Sequence, residues 1–181
     1  MGKEKSSLDA IQIAPEFDIE YYMEISGLMR VEKDLLELLD HYWAKWEKDV
    51  KAYRMEPTKE GAGDGFLLVY LDQDVEDEVQ KAFETAPQHG FAFHNLAITL
   101  TLSAAQSVMP ELIGACMPMP TPSREAKKKF KKLGLEWTED GKMNRNYMVY
   151  TAYPYQGGCE TCHSCETCPS SQVREVGQPL E

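Results

Sequence analysis

The run Cys159-Glu-Thr-Cys162-His-Ser-Cys165-Glu-Thr-Cys168-Pro169 constrains this chain more than any other stretch, because it gathers four of the five cysteines at strict three-residue spacing. A thiolate at every third residue lets one short loop curl its sulfurs toward a common centre. Soft sulfur donors of that kind select zinc, copper(I) or iron–sulfur clusters. The segment is also a small internal repeat, Cys-Glu-Thr-Cys on either side of His163-Ser164. Cys159, Cys162, Cys165 and Cys168 are therefore the expected metal ligands.

The first three of these cysteines share the Cys-x-x-Cys-x-x-Cys spacing by which bacterial ferredoxins hold three corners of a cubane cluster, and Cys168-Pro169 resembles the Cys-Pro that closes that run. The resemblance covers Cys159 to Pro169 only. It departs at the last cysteine, which follows two residues, Glu166 and Thr167, where the ferredoxin run has three. A single cluster would take its fourth thiolate from Cys168 or from distant Cys116. Zinc is the competing occupant, since two Cys-x-x-Cys knuckles supply the four sulfurs of a tetrahedral site. Zinc ribbons usually separate their knuckles by roughly ten or more residues, whereas only His163 and Ser164 lie between them here. Iron–sulfur is thus the leading expectation and zinc the alternative.

A formal charge of −11 argues against a general affinity for nucleic acid or an anionic membrane. The charged opening Met1-Gly-Lys-Glu-Lys-Ser-Ser-Leu-Asp9 lacks the apolar stretch of a secretory signal, and no later run reaches the ~18 apolar residues of a spanning helix. The expected compartment is the cytoplasm, where clustered thiols hold metal or do redox work rather than form structural disulfides.

Patterning divides the chain into an N-terminal tail or short edge element over 1–16, an α+β domain over 17–155, and a cysteine-rich loop with a polar, disordered tail over 156–181. The expected architecture is an antiparallel sheet with helices packed on one face. Phe17 to Ser26 is ambiguous between strand and helix. Leu35, Leu39, Tyr42, Trp46, Val50 and Tyr53 recur at helical gaps and predict one long amphipathic helix. Gly and Pro between Met55 and Gly65 predict a loop, and the apolar run Phe66 to Leu71 a strand. Asp72 and Asp74 introduce a helix that ends by Pro87 and Gly90. Phe91 to Leu102 alternates as a half-buried strand would, with Ser103 and Gln106 as a capping box for a helix toward Cys116. Thr121-Pro122 opens a lysine-rich helix closed by Gly134, and Asp140-Gly141 joins Leu135–Thr138 to Met143–Tyr153 as an antiparallel hairpin.

Weaker constellations have plainer explanations. Asp72, Asp74 and Asp77 lack the Gly and Glu that a calcium loop requires, and suit a helix N-terminus instead. His89 and His94 could serve Cys116 as a base, but a buried structural thiol at 116 is the expected reading. The lysines at 127 to 132 read as a solvated helix face, and Tyr42, Trp43 and Trp46 as core aromatics. The function these patterns support is metal binding for electron transfer or cluster handling, with a protein redox or metal-transfer partner. The alternative is an α+β domain that binds a small molecule or protein and carries a structural zinc clip or an ancillary thiol tail.

Overall fold

A strand with no polar residue needs cover on both faces, and Phe66-Leu-Leu-Val-Tyr-Leu71 is such a strand. The computed structural model describes residues 8–56, 65–117, 119–139, 141–155 and 157. In it this run is β3, Phe66–Leu71, with all six residues buried. It pairs antiparallel with β2, Val50–Met55, on one side and β4, Met148–Ala152, on the other. A two-residue edge strand, β1, Asp9–Ala10, completes the order β1-β2-β3-β4.

The pleat sends alternate β3 side chains to opposite faces. Leu67 and Val69 join Ala52 and Val149 against one helix layer, while Phe66, Leu68 and Tyr70 join Met55, Tyr150 and Phe130 on the other face. The first layer is built on α4, Pro87–Val108, which lies on the sheet and is packed in turn by α1, Ile19–Ser26, α2, Lys33–Trp46, and α3, Gln73–Thr85. This is the expected antiparallel α+β arrangement. Short α5, Arg124–Lys132, adds Ala126 and Phe130 to the opposite face, with its lysines outward as expected.

Helix α4 overturns the strand predicted over Phe91–Leu102. Its alternation of Leu96, Ile98, Leu100 and Leu102 with Thr99 and Thr101 imitates a sheet with one wet face. Thr99 and Thr101 are in fact buried, and their hydroxyls donate to the carbonyls of Asn95 and Ala97 one turn back, each at 2.8 Å. A helix covered nearly all round can carry threonine where the hydroxyl is satisfied internally. Ser103 and Gln106, expected to open a new helix, lie within α4, and Gln106 Nε2 donates to Tyr21 Oη at 3.0 Å.

Two further expectations are corrected. The stripe through Val50 and Tyr53 leaves the helix at Trp46, and a 3-10 turn over Glu47–Asp49 leads into β2, where these two residues face opposite sides of the sheet. Pairing with β3 outweighs the continued helical period. The Leu135–Tyr153 hairpin reduces to one isolated bridge, Trp137 with Met143, around a turn in which Thr138 N donates to Lys142 O at 2.7 Å and Gly141 takes φ +76°. Its second arm is spent as β4 on the edge of β3. The ambiguous Phe17–Ser26 stretch resolves as α1, capped by the Asp18 carboxylate and closed by Gly27 at φ +69°.

Pro87 both ends α3 and starts α4, and the two helices then pack closely enough that Gly90 has no room for a side chain. A Cβ at Gly90 would stand 2.5 Å from Phe83 Cγ and 2.8 Å from its Cα. Ala for Gly inside a helix ordinarily gains about 1 kcal/mol. Here the backbone contact reverses the sign, so Gly90→Ala should destabilise by about 1–3 kcal/mol, as overpacking does. Chemical denaturation of the two proteins checks this; a gain in stability would show that the helices separate at little cost.

Candidate polar cleft at the α3–α4–β4 end of the sheet

The predicted ligands Cys159, Cys162, Cys165 and Cys168 lie outside the described residues. Among the described residues no group of three or more His, Cys, Asp or Glu side chains is placed to hold a metal. Cys116 is exposed, not the buried thiol expected, because the chain past α4 turns to the surface after the 3-10 turn Pro110–Leu112. Its carbonyl accepts a hydrogen bond from Tyr155 Oη at 2.9 Å.

The suggested partnership of Cys116 with His89 or His94 does not form. Both histidines sit near the start of α4, and at 1.5 Å per residue His94 is about 21 Å from the helix end that leads to Cys116. His89 is exposed and stacks on Phe93. His94 is half-buried, with Nδ1 3.0 Å from Tyr147 Oη, immediately before β4.

That contact belongs to a cleft of about 490 Å³ which sequence reasoning missed. Gln73, Glu76, Asp77 and Gln80 recur at helical spacing along α3 and form one wall, while His94, Asn146 and Tyr147 form the other. Glu76 is only 8% exposed, and its carboxylate accepts from Asn146 N at 2.8 Å and Asn146 Nδ2 at 3.2 Å. Arg145 Nη1 adds a 2.8 Å bond to Gln73 Oε1, so the segment before β4 is clamped to α3. The only sequence signal was an acidic residue on the apolar side of a predicted helix; its partner, 70 residues away, carried none.

Burial, reinforced by the Glu76 charge, pushes the Tyr147 hydroxyl up to about 12. It therefore keeps its proton at neutral pH. Oη and His94 Nδ1 form one hydrogen bond at 3.0 Å, in which the donor is set by the imidazole tautomer. The cleft thus offers two carboxylates, three side-chain amides, an imidazole and a phenol, with Val79 and Phe83 as apolar patches. Among the described residues no Ser, Cys or Lys lines it. This chemistry suits binding a compact polar ligand through several hydrogen bonds.

The Tyr147 shift carries a sign. A folded-state value above the unfolded one contributes stability that is complete below pH 10 and is lost as pH rises toward 12. Tyr70, raised to about 12 by burial, then by Tyr53 and Asp72, behaves alike. Tyr147→Phe should remove one late-ionising tyrosine from an absorbance titration of the folded protein and flatten the loss of stability over that window. Loss of a tyrosine from the ordinary phase near pH 10, with the late phase unchanged, would place Tyr147 in ordinary solvent.

Compared with known proteins, the chain matches no family model, no curated protein and no solved structure at a significant level.

Proposed function

We propose that this chain is a metal-binding protein that holds its metal through Cys159, Cys162, Cys165 and Cys168, and that the occupant is an iron–sulfur cluster used in electron transfer or cluster handling. The observation that carries the reading is the thiolate spacing, two Cys-x-x-Cys units in ten residues ending at Cys168-Pro169. The donor set is all sulfur, which matches iron–sulfur and zinc chemistry and disfavours hard cations. Bound there, a cluster would supply one-electron redox chemistry. The chain's own contribution is to keep four thiolates together and to present them to a protein redox or metal-transfer partner. A reducing, cytoplasmic setting fits such thiols, and the acidic charge fits neither nucleic acid nor anionic membrane as a partner. No helix among the described residues is long and apolar enough to cross a membrane.

A second reading, of a small-molecule-binding domain with a structural zinc clip, is favoured by the cleft around Glu76 and Tyr147. Colour separates the two. Anaerobically purified protein should be brown and carry iron with sulfide on the first reading, and colourless with stoichiometric zinc on the second.

If the four cysteines act as one site, single Cys→Ser changes at 159, 162, 165 and 168 should each lower retained metal sharply, because a thiolate site missing one sulfur becomes weaker and more exchangeable. His163→Ala should have a much smaller effect. Cys116→Ser belongs in the same series, since Tyr155, four residues before Cys159, already bonds the Cys116 carbonyl. A loss at Cys116 equal to that at Cys162 would make it the fourth ligand in place of Cys168. The measurement is metal content after dialysis against a chelator, with thiols counted in parallel. Fully reactive thiols and no metal after reconstitution with iron and sulfide or with zinc would exclude the metal reading.

A further inference from the structure

A second depression, of about 940 Å³, lies between α1 with the strand-to-helix approach before it and the far end of α4 with the turn that follows. Its apolar lining is Ile25 from α1, Leu102 from α4, and Leu112, Ile113 and Met117 beyond it, interspersed with Ser103, Gln106 and Ser107. Ile113 stands 69% exposed at the rim, an aliphatic side chain left in water where burial of its apolar surface is normally favoured.

The rim is of one charge. Glu16, Asp18, Glu20 and Glu24 line it, all exposed, and among the described residues no Lys, Arg or His shares the lining. Glu20 and Glu24 are one helical turn apart, a like-charge spacing that opposes the helix it sits on. Asp18 has a local role, accepting from Glu20 N at 2.9 Å as the α1 cap. Among the described residues Glu16, Glu20 and Glu24 have no comparable bond to explain their clustering beside these apolar side chains. A cation brought among them would relieve the repulsion, and an apolar side chain beside it would cover Ile113.

We propose that this groove seats a basic amphipathic segment of a partner protein, with apolar side chains on Leu102, Ile113 and Met117 and Lys or Arg among the four carboxylates. Such an arrangement is the helix-in-groove mode of recognition with charge complementarity at the rim. The inference goes beyond the metal reading and stands without it.

The test uses the full chain and two synthetic peptides, one with Leu at i, i+3, i+4 and i+7 and Lys elsewhere, the other with Glu for every Lys. Calorimetric titration should detect the lysine peptide and not the glutamate peptide, with affinity falling as salt is raised. Glu16→Lys with Glu24→Lys should weaken the lysine peptide about tenfold or more. Asp34→Lys with Asp40→Lys makes the same charge change on α2 and should weaken it only about twofold. The milder pair Glu16→Gln with Glu24→Gln, expected to give an intermediate loss, guards against a fold disturbed by reversal, and Ile113→Ser should weaken binding without any change of charge. Amide shifts in the titration should cluster at 14–25 and 102–117. Equal losses from the two lysine pairs would reveal general attraction to an acidic protein and overturn the proposal. So would shifts centred elsewhere, or a concentration-dependent dimer dissolved by Ile113→Ser, which would mean that a second copy covers the groove. Metal content, measured on the same samples, reports on the cysteines alone, so either reading can fail without the other.

Discussion

The burial of α4 organises this protein. One side of the helix lies on the sheet through Ala104 and Ala105 against Ala52, Leu67 and Val69, and the other receives Tyr22, Trp46 and Val79 from the surrounding helices. Fully burying side chains of this size contributes roughly 1.5–3 kcal/mol each, so α4 is where the largest share of the apolar driving force converges. Small residues at 92, 97, 104 and 105 let its neighbours approach closely. The β3 strand depends on it in turn, since α4 is the cover for Leu67 and Val69.

The two surface sites follow from the length of that helix. At its start, the close packing of α3 on α4 sets the Glu76 wall of the polar cleft opposite His94, and the segment leading into β4 brings Asn146 and Tyr147 to the other wall. At its end, about 20 Å or more away, the chain turns out through Pro110–Leu112 and leaves Ile113 and Cys116 exposed beside α1. The Tyr155–Cys116 bond ties this end to the segment that precedes the cysteines. One rigid rod thus separates a hydrogen-bonding site from an acidic, apolar groove.

What the chain's letters disclose depends on whether a residue's neighbours are local. The β3 run, the α3 helix after Asp72 and the aromatic faces of β4 were readable because apolar period and turn residues act over a few positions. The Gly141 turn was readable for the same reason, but the ladder expected from it was not formed, because β3 offered Met148–Ala152 a longer partner. In the polar cleft, Glu76 and Tyr147 were invisible as a pair, since the bond from Asn146 that joins their elements spans 70 residues.

The sequence by itself determined the mixed α+β character, the covered central strand, the acidic surface and the thiolate spacing from Cys159 to Cys168. Each is a property of composition or of spacing within a few residues. The tertiary structure alone decided that Phe91–Leu102 is helix, that Val50 and Tyr53 belong to a strand, and that Cys116 faces water. Local preference is small, and burial against elements distant in the chain is large: threonines satisfied within their own helix allow α4 to lie between a sheet and three other helices. An alternating pattern could not reveal that environment.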